Sequence, residues 1–221
     1  MSTATLRQGQ FFAHNSYPSI SCLKKECSEQ ASLLEAVRAD KESLLSKNDQ
    51  LNTRVIQLEQ QSRACNVEIH CVPEHKNENI MNTVQQLSKV IKHPIDDEKI
   101  LFCAKIAKMN KTSPRPRSIL VKFNSPRLRD EFLAATSRFN RNNADKLNSS
   151  HLGIASSKKE PIYVSEHLAP DTKMLLAAAR RKSKEVNYKF VWVRDGKIYM
   201  RKSENSKYIQ IRNHDTINNL S

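Results

Sequence analysis

Apolar residues recur at every seventh position between residues 30 and 65. Val37, Leu44, Leu51 and Leu58 hold one seam position of the heptad, and the other seam position alternates apolar with polar residues. Neither Gly nor Pro interrupts the pattern, and its 3.5-residue spacing predicts a coiled coil, as a dimer or a trimer. A lone amphipathic helix packed on its own domain is the alternative. The predicted interchain contacts are Leu34, Val37, Leu44, Asn48, Leu51, Val55 and Leu58.

The pattern changes to short alternating stretches after residue 65. It predicts, in order, a strand at 66–73, a helix at 78–91, strands at 100–107 and 118–123, a helix at 126–139 and a last strand at 151–155. This order is typical of the ferredoxin-like fold used by RNA recognition motifs. We therefore expect an RNA-recognition-like domain over residues 66–160.

The last sixty residues predict a second, smaller α/β region at 161–221. Its elements are a strand at 162–165, a helix at 170–186, strands at 189–194 and 197–202, and a third strand at 208–212. Asp195 and Gly196 separate two alternating strands, which is a strong hairpin signal because both turn positions require positive φ. Residues 1–29 show no period and predict a disordered lead-in. The fold class is α+β.

Charge is distributed unevenly over the 221 residues, which carry a net charge of +14. Residues 1–65 hold eight basic and seven acidic residues, whereas residues 66–160 carry +7 and residues 161–221 carry +6. Such asymmetry indicates that a neutral stalk carries basic heads that face a polyanion, most commonly nucleic acid. The three isolated glycines exclude a dinucleotide fingerprint and a P-loop.

Cations cluster in two places that predict a nucleic-acid interface. In the middle region they are Arg115, Arg117, Lys122, Arg127 and Arg129. In the C-terminal region the interface residues are Lys173, Arg180, Arg181, Lys182, Lys184, Lys189, Trp192, Arg194, Lys197, Arg201 and Lys202. Cations beside flat rings suit a single strand, because they neutralise phosphates while the rings stack on bases. For Trp192 the alternative to contacting nucleic acid is a place in the hydrophobic core, and it is a stronger alternative than for any other residue of the set.

Other chemistry finds little support in the sequence. Cys22 and Cys27 have no second pair at zinc-site spacing, so we predict no metal site and free thiols. We found no local motif for a nucleophile, nor a pair of catalytic carboxylates, so we expect no enzyme, no cofactor and no small-molecule substrate. The sequence shows neither a signal peptide nor the roughly 18 to 20 apolar residues that span a bilayer, so we expect an intracellular protein of the cytoplasm or nucleus, without membrane insertion.

A known group of proteins resembles this sequence over residues 30–221. The resemblance rests on the heptads, on CNVEIHCVP at 65–73, on RSILVKF at 117–123 and above all on IYVSEHLAPDTKMLLAAARRKSKEVNYKFVWVRDGKIYMRK at 162–202. The sequence resembles the baculovirus few-polyhedra (FP) protein family with its insect relatives, and is similar to the first-reading-frame proteins of LINE-type retrotransposons. Insect relatives often carry a zinc finger before the coiled coil, and no such finger is present here.

The retrotransposon resemblance implies a homo-oligomeric coiled-coil protein that binds single-stranded RNA or DNA and acts as a nucleic-acid chaperone. Together with the charge distribution, it predicts a non-enzymatic protein of mobile-element or viral derivation. An active element, a viral gene and a host-adopted gene all remain open. The alternative function is a protein-interaction adaptor, whose coiled coil docks another helix and whose basic surface binds acidic proteins or membranes.

Overall fold

The computed structural model describes residues 19–76, 78–108, 111–154 and 158–220. The chain divides into two compact units, residues 1–53 and residues 54–221. Helix α1 spans Ile20–Ser62 and has no buried residue. The helix begins ten residues before the predicted start, so the predicted disorder is wrong for residues 20–29, and residues 1–18 lie outside the described residues. The reason is a capping signal, because Ser19 Oγ accepts a hydrogen bond from Cys22 N.

A four-stranded antiparallel sheet forms the larger core of the second unit. Its elements are β1 (Asn66–His70), α2 (Ile80–Val90), β2 (Ile100–Lys105), β3 (Ile119–Phe123), α3 (Pro126–Asn142) and β4 (Tyr163–Glu166), with strand order β2-β3-β1-β4. Helix α3 begins where Ser125 caps it and Pro126 occupies its first turn. The rings of Phe123 and Phe132 pack 5.3 Å apart between sheet and helix, and both are fully buried.

The last strand of this sheet differs from the predicted one. Residues Ser149–Leu152 form a 3₁₀ helix, which Asn148 caps at its N-terminus and Gly153, with a φ of 71°, caps at its C-terminus. The predicted strand at 151–155 is therefore wrong for residues 151–154, and residue 155 lies outside the described residues. The strand predicted at 162–165 is instead β4, which pairs with β1, so it belongs to the four-stranded sheet.

A three-stranded antiparallel sheet forms a second core. The elements are α4 (Pro170–Glu185), β5 (Phe190–Arg194), β6 (Lys197–Arg201), β7 (Ile209–Ile211) and a short α5 (His214–Asn218) that the sequence pattern missed. The predicted hairpin is confirmed, because Asp195 and Gly196 have φ values of 52° and 69° between β5 and β6. The mixed helical and antiparallel architecture is confirmed. The buried residues of this core are Leu168, Leu176, Ala179, Ile198, Met200, Ile211, Ile217 and Leu220.

Candidate nucleic-acid interface

A cleft of about 740 Å³ lies between the outer face of the four-stranded sheet and α4. Side chains alternate along β1, so Val67 and Ile69 face the core while Glu68 and His70 line the cleft. The sequence predicts this alternation through the end of a strand at 66–73, with Cys71 on the core side and Val72 on the outer side. The prediction is confirmed for residues 67–70 and wrong for Cys71 and Val72, because β1 ends at His70, Cys71 lines the cleft and Val72 is buried in the core. The cleft therefore lies on the side of the sheet that α2 and α3 leave uncovered.

A buried ion pair joins the sheet to α4 at the bottom of this cleft. Lys173 Nζ lies 2.5 Å from Glu68 Oε2, and Glu68 is only 4% exposed. Burial raises the pKa of Glu68, but the hydrogen bond and charge of Lys173 outweigh it, so the pKa is lowered overall. Lys173, predicted to bind nucleic acid, thus already has a carboxylate partner.

His70 links three elements of the same cleft. Its Nδ1 lies 2.9 Å from Ser118 Oγ, and its Nε2 lies 3.0 Å from Ser165 Oγ. Burial lowers the pKa of His70, because an imidazolium is poorly solvated there, and the same cause lowers the pKa of His167. Burial at this position therefore favours the neutral form of both rings.

Two arginines that line the cleft have no carboxylate within ion-pair distance among the described residues. They are Arg115, in the loop between β2 and β3, and Arg180, in the third turn of α4. Both are exposed, and each guanidinium can donate two parallel hydrogen bonds to a phosphate. The cleft thus offers cations that come from both of its walls.

The remaining predicted cations fall into a paired and an unpaired group. Ion pairs join Arg117 to Glu74, Arg127 to Glu131, Lys182 to Glu185, Lys189 to Glu204 and Arg194 to Asp195. In the part of the chain that the structure describes, Lys122, Arg181, Lys184, Lys197 and Arg201 form no ion pair. Lys202 lies 6.0 Å from the ring of Tyr188. The hydrogen bonds from Arg117 lower the pKa of Glu74 to about 2.

The prediction that Arg129 is part of the nucleic-acid interface is wrong, because Arg129 is buried. Its guanidinium lies 2.8 Å from Asp130, 3.2 Å from Glu166 and 3.3 Å from Asp195. Only 4% of the residue is exposed. Arg129 therefore pairs with carboxylates of its own chain, of which Glu166 is largely buried and Asp130 and Asp195 are exposed, and is itself closed off from a phosphate.

Glu166 connects the two sheets at the same point. It accepts hydrogen bonds from the backbone N–H groups of Asp195 and Gly196, at 3.0 and 2.7 Å. These two hydrogen bonds hold the hairpin turn of the smaller sheet against β4. Gln60, near the end of α1, accepts from Ala169 N and donates to His167 O, so it holds the segment that follows β4.

Trp192 lies outside the core, on the outer face of the three-stranded sheet. Its ring stacks on Tyr199 with centroids 5.6 Å apart, and Tyr208 packs edge-on against both rings. The alternative place in the core is therefore wrong for Trp192. The opposite face of this sheet carries Ile198 and Met200, which are buried beneath α4 and α5.

The predicted coiled-coil residues lie along α1 and expose their side chains. Among them Leu44 is 65% and Leu51 61% exposed, and all apolar members of the set are at least half exposed. None of the residues of α1 is buried.

Sequence reasoning missed several residues of the candidate site. The two-residue turn at Asp195 and Gly196 fixes the hairpin register. The sequence alone could therefore have placed Tyr199 opposite Trp192. Alternation in β1 also directed His70 away from the core. For Arg63, His167 and Tyr208 the local sequence carries no comparable signal, because they reach the site through turns. Among the described residues no group of three metal-ligating side chains occurs, and the five cysteines are free thiols.

The comparisons with known proteins concern the C-terminal segment. Across the described residues, no helix combines the length and the apolar composition that crossing a membrane requires. A search of curated proteins finds no match. Residues 169–221 match the family model described as Baculovirus FP protein domain 2, which covers α4, the three-stranded sheet and α5. The resemblance to the baculovirus FP protein family predicted from the helix and hairpin is thus confirmed for residues 169–221.

Proposed function

We propose that this protein is a self-associating, non-enzymatic protein that binds single-stranded RNA or DNA. The observation that carries the proposal is the cleft, where Arg115 and Arg180 stand on opposite walls without carboxylate partners among the described residues. Phosphate contacts of this kind supply affinity without sequence readout. A strand lying in the cleft therefore binds through its backbone.

The arrangement of the larger sheet supports the same proposal. The order β-α-β-β-α-β with strand order β2-β3-β1-β4 is that expected of a ferredoxin-like, RNA-recognition-type fold. Such domains stack bases on aromatic rings of the two central strands. Here those strands carry Glu68, Leu120 and Lys122 on the outer face. The proposal accordingly assigns backbone binding to this sheet, and a chaperone activity would draw on such weak, sequence-independent contacts.

Self-association is proposed from the exposed stripe of α1. An isolated helix in water gains little from exposing leucines at heptad spacing, whereas a second copy of the same helix buries them in a seam. Asn48 lies within the seam, where a polar residue favours one register. Two or three basic heads joined in this way bind one strand at high effective concentration. Mobile-element or viral derivation is proposed from the family match and the retrotransposon resemblance.

A fluorescence polarisation titration with labelled single-stranded RNA and DNA tests the proposal. The double variant Arg115→Ala/Arg180→Ala should bind about tenfold more weakly, and its plot of log affinity against log salt should lose roughly 1.4 from its slope, because two phosphate contacts disappear. The control Arg138→Ala/Arg141→Ala removes the same charge from α3, on the opposite side of the sheet, and should change the slope little.

A second variant, Leu44→Asn/Leu51→Asn, tests self-association. Its molar mass measured by light scattering should fall to the 25.4 kDa of one chain, and its binding in the same titration should be weaker. A wild-type protein that binds neither nucleic acid at about 50 mM salt would contradict the proposal. Equal losses in the cleft and control variants would contradict the cleft as the site. Nuclease-resistant capture of an acidic protein, without nucleic-acid binding, would favour the adaptor instead.

A further inference from the structure

The outer face of the three-stranded sheet carries an aromatic cluster that we define as Phe190, Trp192, Tyr199 and Tyr208. Trp192 and Tyr199 are cross-strand partners with rings inclined by 20°. Tyr208 meets these rings at 71° and 82°, with centroids 6.4 and 5.6 Å away. Phe190 lies two residues before Trp192, so alternation places its side chain on the same face.

This cluster is not needed to form the core of the small sheet. That core lies on the other face, where Ile198, Met200 and Ile211 are buried against α4 and α5. Tyr208 is 64% exposed and the other three rings are partly exposed. A contiguous surface of large rings on a soluble domain marks a binding site more often than a structural need.

The charges around the cluster determine which ligand fits. Arg201 lies 4.7 Å from the ring of Phe190 and Lys189 lies 5.3 Å from it. Trp192, Phe190 and Tyr208 line a hollow together with Lys189, Arg201 and Lys207. Glu204 is already paired with Lys189. A cationic ligand, such as a methylated lysine, would be repelled here, whereas an anion with flat rings is attracted.

We propose that the aromatic cluster is a second binding surface, which stacks the unpaired bases of a single strand while Arg201 and Lys207 contact its phosphates. This inference rests on the proposed function and deepens it, because it assigns base contacts to the small sheet and backbone contacts to the cleft. It therefore makes binding depend on bases being present and unpaired. An anionic membrane fits the cluster less well, because the rings pack against one another and do not project as separate apolar anchors.

Trp192 is the one tryptophan of the chain, so its fluorescence reports on this surface directly. The full-length protein is titrated with an oligothymidylate of about 20 nucleotides, longer than the roughly 4 to 16 nucleotides that one small domain covers. The matched probe is an abasic deoxyribose-phosphate oligomer of equal length. The oligothymidylate should quench Trp192 in step with binding, whereas the abasic oligomer should bind by polarisation without quenching.

Tyr208→Leu should lower the affinity for oligothymidylate by about fivefold or more, because the variant loses at least one stacked base. The same variant should leave the affinity for the abasic oligomer unchanged. The control Leu101→Ala removes a comparably exposed apolar side chain from the edge strand β2, outside the residues that line the cleft, and should leave both affinities unchanged. Circular dichroism of both variants confirms that they fold.

The outcomes separate this inference from the proposed function. If both oligomers bind with equal affinity and neither quenches Trp192, the cleft binds strands and the aromatic cluster does not. If neither oligomer binds, the proposed function itself fails. If phosphatidylserine vesicles shift the emission of Trp192 to the blue while the oligothymidylate leaves it unchanged, the cluster is a membrane surface and the inference is overturned.

Discussion

The two sheets of residues 54–221 use the same architecture and present different outer faces. Each packs one face on helices, with Val67 and Ile69 buried in the larger core and Ile198 and Met200 in the smaller. The outer face of the larger sheet is mainly polar, with single exposed rings at Phe102 and Tyr163, and Glu68 there pairs with Lys173. The outer face of the smaller sheet is aromatic and cationic.

This difference teaches that the total charge is a poor guide to the available charge. Both regions are basic in sequence, yet beside the larger sheet the buried carboxylate of Glu68 already pairs with Lys173. The smaller sheet places its cations beside rings, where a phosphate can still approach Arg201. The number of acidic neighbours, more than the number of basic residues, therefore decides where a polyanion can bind.

The largest expected effect comes from breaking the link between the two sheets. Glu166→Ala removes the acceptor of two hairpin amides and one partner of the buried Arg129. Because a buried guanidinium is left partly uncompensated, the free energy of unfolding should fall by about 3 kcal/mol. Urea denaturation followed by circular dichroism measures this change.

Glu204→Ala is the matched control for that substitution. It also removes one carboxylate from an ion pair, with Lys189 at 3.0 Å, but both side chains are more than 60% exposed. Such pairs contribute at most about 1 kcal/mol. If Glu166→Ala costs no more than this control, the two sheets are not joined through Glu166.

Much of each sheet could be predicted from the sequence, because alternation and turn chemistry are local signals. The hairpin at Asp195 and Gly196 and the outward direction of His70 follow from such signals. The edge strand β4 was recognised as a strand but assigned to the wrong sheet. The local sequence of β4 does not identify its pairing partner, because β4 pairs with β1, which lies nearly a hundred residues earlier in the chain.

The candidate site was less predictable than the fold for a physical reason. A sequence shows where cations are, but not which carboxylates lie opposite them after folding. Arg129 and Arg115 look alike in the sequence, yet the first is buried among three carboxylates and the second lines the open cleft. Only the three-dimensional packing of α3 against β4 separates them.

A smaller effect is expected from two glycines, one beside each sheet. Gly196 has a φ of 69°, and a Cβ added there would lie 2.3 Å from Cγ of Gln60. Gly196→Ala therefore strains the turn and displaces Gln60 from its two hydrogen bonds, so we expect a loss of roughly 2 to 3 kcal/mol in urea denaturation.

Gly153 has nearly the same φ, 71°, but no atom lies within 4 Å of the added Cβ. Gly153→Ala should cost about 1 kcal/mol, the strain of the left-handed conformation alone. Equal losses for the two glycines would mean that the contact between Gln60 and the hairpin contributes nothing to stability.

The smallest effect, a pH dependence, should originate on the outer face of the larger sheet. Burial lowers the pKa of His70 and His167, so the unfolded chain binds protons near pH 6.5 that the folded chain does not yet bind. Stability should therefore be level above about pH 7 and fall as the pH drops below about 6.5. A further loss should follow below the ordinary pKa of Glu68, 4.5, because that pKa is also lowered in the folded state.

His70→Asn should reduce the loss of stability between about pH 7.5 and pH 5.5, and the addition of His167→Asn should reduce it further, because neither asparagine titrates. The midpoint of urea denaturation at each pH provides the measurement. His70→Asn also changes the hydrogen bonds to Ser118 and Ser165, which lowers stability at every pH, so the informative quantity is the difference between the two pH values. A double variant with the same difference as the wild-type protein would show that these buried histidines do not set the acid sensitivity of the larger sheet.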